Sequence, residues 1–102
     1  MQPNDDIVRK FIGSPLQVRT GTGGAPKEIY WEGLWRQVEP ILCWQDYGFA
    51  AGTHMHNWRT RRHRTCYHVK DMECRIWEIY LERWESRREW FMLAEVLSKN
   101  EG

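Results

Sequence analysis

Residues 75–97, RIWEIYLERWESRREWFMLAEVL, constrain the fold more than any other part of the chain. Read as two strands joined by a turn at Glu85-Ser86-Arg87-Arg88, they pair Trp84 with Glu89. That register sets Trp77, Ile79 and Leu81 opposite Val96, Ala94 and Met92, and one face becomes wholly apolar. Read as one helix, the same residues place Trp77, Tyr80, Leu81, Trp84 and Phe91 in a stripe. The helix, however, makes like-charge neighbours four apart of Glu78/Glu82, Arg83/Arg87 and Glu85/Glu89, each costing roughly a few tenths of a kcal/mol. The hairpin is the favoured reading. The helix stays in competition because the turn lacks the Asn-Gly or Asp-Gly pair of a tight hairpin.

A chain of 102 residues is expected to form one domain, close to the size at which a single core can stand without metal or disulfide staples. Bulky side chains have to fill that core, and seven Trp, four Tyr and three Phe supply them. Fifteen basic against fourteen acidic residues leave a net charge of +1, so any site for a polyanion has to be local. No apolar run approaches the ~20 residues that span a bilayer, and MQPNDDIVRK is too polar and acidic for a secretory signal. A cytoplasmic location away from membranes is the expectation. Cys43, Cys66 and Cys74, odd in number and without framework spacing, read as inert thiols of a reducing compartment.

Taken in order, residues 1–10 form a polar N-terminal segment with little beyond a frayed turn, and Phe11 and Ile12 cap the core. Pro15-Leu16-Gln17-Val18-Arg19 alternates as a first strand before the glycine-rich turn of residues 21–26. That turn is no phosphate cradle, because the strand-like KEIYW follows it where a helix N-terminus would be needed. Glu32 and Gly33 form a two-residue hairpin loop that brings Tyr30 opposite Trp35. In LWRQVEPILCW, Pro40 marks an edge or a bulge, while Val38, Leu42 and Trp44 share one parity and form the core-facing set. Residues 48–63 read as a long basic loop. Alternation then returns with Tyr67 and Val69 on one face and Cys66 and His68 on the other, Asp71-Met72-Glu73 turns the chain, and residues 98–102 are a polar tail. The fold class that follows is mainly β: a single small antiparallel meander of five or six strands curling into a barrel or half-barrel.

Charge is unevenly spread. Residues 49–70 hold Arg59, Arg61, Arg62, Arg64 and Lys70 without an acid. Within NWRTRRHR, Trp58 stands beside Arg59, Arg61, Arg62 and Arg64, the residue types that grip phosphates and stack on unpaired bases. These residues are the candidate nucleic-acid contact, with single-stranded nucleic acid as the partner. The competing reading pairs the arginines internally with Glu78, Glu82 and Glu85. His54, His56, His63 and His68, with Cys66, are the weaker candidate for a metal site, since they lack Cys-x2-Cys or His-x3-His steps and adjacent arginines oppose a dication. Glu78 and Glu82 point one way on a strand but read equally as a solvated face. No nucleophile is accompanied by a base in motif form, so neither an enzyme nor a cofactor is expected.

Several of these residues carry a resemblance over residues 11–97: Phe11-Ile12 with Pro15-Leu16-x-Val18, then Pro26, then Ile29-x-Trp31-x-Gly33-x-Trp35, with Val38, Ile41 and Trp44. Tyr67-x-Val69, Glu78-x-Tyr80 and Trp90-Phe91-x-Leu93 continue it. In these positions the chain resembles a family of short uncharacterised bacterial β domains, stand-alone or at the end of Y-family (translesion) polymerase-like proteins. The resemblance implies strands over residues 75–97 and brings no catalytic residues, while residues 48–63 depart from the family pattern in length and charge. It implies a non-enzymatic accessory or interaction module linked to DNA damage tolerance, with a protein or a nucleic acid as partner.

One core containing Trp31 or Trp35, Trp44, Trp77 and Trp90 is expected. Replacing Trp77 by Ala should cost about 3–5 kcal/mol, read as the loss of the urea unfolding midpoint.

Overall fold

The computed structural model describes residues 7–46, 63–84 and 86–98. They form seven strands: β1 (Ile7–Pro15), β2 (Gln17–Thr20), β3 (Pro26–Trp31), β4 (Leu34–Asp46), β5 (His63–Asp71), β6 (Ile76–Trp84) and β7 (Arg87–Ser98). All neighbours are antiparallel, in the order β1-β7-β6-β5-β4-β3-β2. Among the described residues the only helical element is a 3-10 turn at Thr22–Gly24, and no helix is long and apolar enough to cross a membrane.

The strand order contains its own reason for curvature. β1 and β2 occupy opposite edges of the sheet, yet only Leu16 separates them. A flat sheet would hold those edges six strand spacings apart, roughly 30 Å, which one residue cannot span. The sheet therefore curls into a half-barrel, and the Leu16 amide donates to the Trp90 carbonyl of β7 at 3.0 Å where the chain crosses over. Bulges at residues 12–13, 41 and 93 supply local bends, and Gly13 takes the positive φ of 68° that the first requires.

The concave face holds the core: Leu16, Ile29, Val38, Val69, Trp77, Ile79 and Met92, with Ile12, Val18, Trp31, Tyr67 and Trp90 packed against it. Trp77 is 1% exposed and meets Trp31 edge-on at 6.0 Å. The β3–β4 hairpin has the expected register, with Tyr30 opposite Trp35 and their rings 5.4 Å apart. Glu32 and Gly33 both take positive φ, as its tight turn demands.

Several sequence expectations need correction. There are seven strands in place of five or six, because the first strand begins at Ile7 and breaks at Leu16. Phe11 is 73% exposed and does not cap the core, since β1 is an edge strand whose outer face nothing covers at that point. The C-terminal hairpin is a hairpin, but Trp84 pairs with Arg87 and Ile79 with Met92. The turn is two residues tighter than expected and the bulge at residue 93 makes up one of them, so that Trp77 stands opposite Glu95 and Met92 and Ala94 are buried on opposite faces. In β4 the bulge at Ile41 moves Leu42 and Trp44 to the convex face, opposite His68 and Cys66, while Val38 remains in the core. Period-2 reading across Pro40 could not survive an inserted residue. Trp44 accordingly leaves the expected tryptophan core.

The β5–β6 turn is built around Asp71, which is 6% exposed. Its Oδ1 accepts from the amides of Glu73 (2.8 Å) and Arg75 (3.0 Å), and its Oδ2 accepts from Trp77 Nε1 at 3.0 Å. Burial works to raise the Asp71 pKa. The bonds from Trp77, Arg75 and Glu73, with Arg36 nearby, outweigh it and hold the carboxyl below its ordinary range. A folded pKa below the unfolded one means stability that is complete above the carboxylate range and lost as pH falls through the lowered value. Asp71→Asn puts an amide N–H against donors, and should cost about 1–3 kcal/mol in urea denaturation at neutral pH, with a shallower loss of stability on acidification than the parent shows.

Candidate functional site

Alternation along β5 decides where each described candidate residue points. Arg64, Cys66 and His68 face outward on the convex side, whereas His63 lies on the concave face with Thr65 and Tyr67. Trp58, Arg59, Arg61, Arg62, His54 and His56 lie outside the described residues. His63 is thereby separated from Cys66 and His68, and β5 does not bring the three to one ion. Among the described residues no group of three or more His, Cys, Asp or Glu is arranged to hold a metal.

On the convex face the charges answer one another. Arg64 stands opposite Glu82, which stands opposite Glu89. Arg64 Nε lies 3.6 Å from Glu82 Oε2, and its guanidinium sits 4.6 Å over the Tyr80 ring, itself stacked on Phe91 at 5.2 Å. Arg64 is thus paired within the fold, as the internal reading of the basic run proposed. Glu78 Oε1 accepts from Arg9 Nε at 2.7 Å and lies 3.2 Å from His68 Nε2, with Trp44 edge-on to the His68 ring at 5.2 Å. Because an ionised carboxylate only accepts, His68 Nε2 carries the proton of that bond. Glu78 and Glu82, 6% and 4% exposed, are buried groups and not a solvated face.

The concave face ends differently. There the register aligns His63, Arg83 and Arg88 across β5, β6 and β7, a row of basic side chains with no acid in it. Arg83 Nη2 donates to Thr65 Oγ1 at 2.9 Å, and Thr65 Oγ1 in turn donates to Gln45 Oε1 at 3.3 Å. Arg83 Nε is buried without a hydrogen-bond partner, and among the described residues no carboxylate forms an ion pair with Arg83 or Arg88. Two rows deeper on the same face, burial and the Cys43 thiol raise the Tyr67 hydroxyl pKa against the pull of Arg83. The Tyr67 ring lies 5.8 Å from that of Trp90.

Beside this row the half-barrel stays open. Among the described residues, β2 hydrogen-bonds only to β3, and β7 beyond Trp90 has no strand partner on its β2 side. A groove of about 220 Å³ lies in the seam, lined by Val18, Thr20, Gly24, Leu81, Arg88 and Trp90. The β4 end at Asp46 and the β5 start at His63, between which the sequence carries Trp58, Arg59, Arg61 and Arg62, pair at the same end of the sheet as the β6–β7 turn. Sequence reasoning missed Arg83 and Arg88 as a site because it read them as strand and turn residues. Two arginines five positions apart across a hairpin turn were the available signal.

The convex cluster makes a prediction about pH. The hydrogen bond from His68 comes first in lowering the Glu78 pKa, opposed by burial and reinforced by Arg9, so the folded value lies below the unfolded one. Stability from Glu78 is complete above the ordinary carboxylate range, about pH 4, and is lost as pH falls through the lowered value. Glu78→Gln should therefore destabilise by about 1–3 kcal/mol at pH 7, and the gap between variant and parent should close in urea titrations carried out below the carboxylate range.

No family model, no curated protein and no solved structure matches the chain.

Proposed function

We propose that this protein is a non-enzymatic interaction module that binds single-stranded nucleic acid at the basic end of its half-barrel. The observation that supports the reading is a row of basic side chains at that end, in which Arg83 and Arg88 form no ion pair with a carboxylate among the described residues. His63, Arg83 and Arg88 align on one face, and the sequence between Asp46 and His63 carries Trp58, Arg59, Arg61 and Arg62, which lie outside the described residues. The chain as a whole carries only +1, so this concentration of guanidiniums is local. Arginine grips phosphate, and indole stacks on unpaired bases without demanding a sequence. The polar groups that could have served catalysis are engaged with one another: Asp71 with Trp77, and Glu78 with His68 and Arg9.

Binding of this kind suits a bacterial cytoplasmic accessory protein of DNA damage tolerance, the setting that the family resemblance implies. A protein partner is the second reading. It is favoured by β1, an edge strand with a single neighbour and with Phe11 largely exposed on it.

Titration of a fluorescein-labelled oligothymidylate at low and moderate salt tests the proposal. Binding should weaken steeply with salt, and the Arg61→Ala, Arg62→Ala double variant should reduce the log–log salt slope by about 0.7 for each phosphate contact it removes. Absence of binding at low salt overturns the reading and leaves the protein partner ahead.

A further inference from the structure

We propose that Arg83 and Arg88 form a phosphate clamp at the mouth of the half-barrel, with the seam groove beside it receiving the base attached to that phosphate. The inference rests on the nucleic-acid reading and adds to it a defined site on described strands, outside the basic run that the sequence singles out.

On their other face the same two strands carry a like-charge pair that is offset. Glu82 and Glu89 are a like-charge pair directly across the β6–β7 ladder, and Arg64 from β5 sits against Glu82 to offset it. One position along, Arg83 and Arg88 are also a like-charge pair directly across the ladder. Their neighbour on β5 is His63, so the row contains no carboxylate. Cross-strand partners stand about 5 Å apart at Cβ, and like charges at that spacing repel. An anion seated between them converts the repulsion into two charge-assisted contacts.

Arg83 is prepared for that role. Thr65 Oγ1 holds its Nη2, fixing the plane of the guanidinium, while Nε is left buried with no acceptor. A planar guanidinium held along one edge presents its remaining N–H groups as a fork, the geometry that suits phosphate oxygens. Arg88 is exposed and lines the groove, where its guanidinium can close on the same anion.

The groove accounts for the rest of the ligand. Its walls are Trp90 and Leu81 on one side and Val18, Thr20 and Gly24 on the other, a slot of mixed polarity with an indole in it and Arg88 at its rim. That combination fits a base whose phosphate lies at the arginines. Two larger grooves elsewhere, of about 280 and 350 Å³, include carboxylates in their walls: Asp71 with Glu73 in one, and Glu32 in the other. A phosphate would meet carboxylate oxygens in those walls, already paired with Arg36 and Arg75, whereas the seam groove offers a guanidinium and no carboxylate.

The test uses the full chain, the exposed-site variant Arg88→Gln, and Lys10→Gln as a control that removes the same charge from the β1 edge. With labelled oligothymidylate, Arg88→Gln should weaken binding roughly tenfold at low salt and reduce the salt slope by about 0.7, while Lys10→Gln should match the parent. In parallel, inorganic pyrophosphate should shift the Arg83 Nε–Hε NMR resonance in the parent and fail to do so in Arg88→Gln. If the oligonucleotide binds Arg88→Gln as tightly as the parent and pyrophosphate leaves the Arg83 resonance unmoved, the clamp is wrong and the nucleic-acid reading survives on the basic run. A pyrophosphate response without oligonucleotide binding supports the clamp and removes the nucleic-acid reading. Silence from both probes overturns both.

Discussion

One residue, Leu16, lies between the two edges of the sheet, and the architecture depends on that constraint. Strands β1 and β2 are nearly continuous in sequence but pair at opposite ends of a seven-strand order. The sheet has to bend until its edges meet at Leu16, where the amide bonds to the Trp90 carbonyl. Curling then gives the chain a concave interior, and that is how so short a sequence encloses Trp77, Ile29, Ile79, Met92 and Val69 almost completely. The same geometry leaves the seam between β2 and β7 unpaired past the crossover, so the groove is a consequence of the topology.

Inside that frame, buried polar groups hold particular joints. Asp71 ties the β5–β6 turn to the core through Trp77, and Arg75 beside it sits 4.5 Å over the Trp77 ring while bridging to Glu95 of β7 and Glu32 of the β3–β4 turn. A cluster of this kind links strands that are far apart in sequence at the end of the sheet opposite the arginine row. On the convex face Glu78 joins β1 to β5 through Arg9 and His68. Asp71, Glu78, Glu95 and Glu32 are thus engaged in internal contacts. Among the described residues, Arg83 and Arg88 at the concave end of β6 and β7 have no carboxylate ion pair.

Strand parity is the device that sorts the charges. Arg64 and His63 are adjacent in sequence, yet one enters an ion pair with Glu82 and the other joins the arginine row, because successive side chains on a strand face opposite ways. The basic run that draws the eye in the sequence is therefore not a single surface where it enters the sheet. Arg83 and Arg88, separated by a turn and unremarkable as letters, face each other across the ladder.

Much of the fold was legible from local pattern. Alternation marked β3, β5 and the C-terminal hairpin; Glu32-Gly33 fixed the Tyr30–Trp35 pair; and the like-charge spacings argued against a helix over residues 75–97. These features depend on side chains within a few residues of one another, which is the range over which period and turn chemistry act. Registers across bulges were not legible. An extra residue at Ile41 or Leu93 reverses the faces beyond it, and whether it is accommodated is decided by the neighbouring strand. The candidate site divides in the same way. Composition showed that positive charge was concentrated near residues 57–64, but the pairing of Arg64 with Glu82, the alignment of Arg83 with Arg88 and the groove beside them arise from strands brought together by the tertiary structure. Sequence alone determined which residues could form strands and carry charge; the register and pairing of those strands in the sheet decided which of the charges would find a partner.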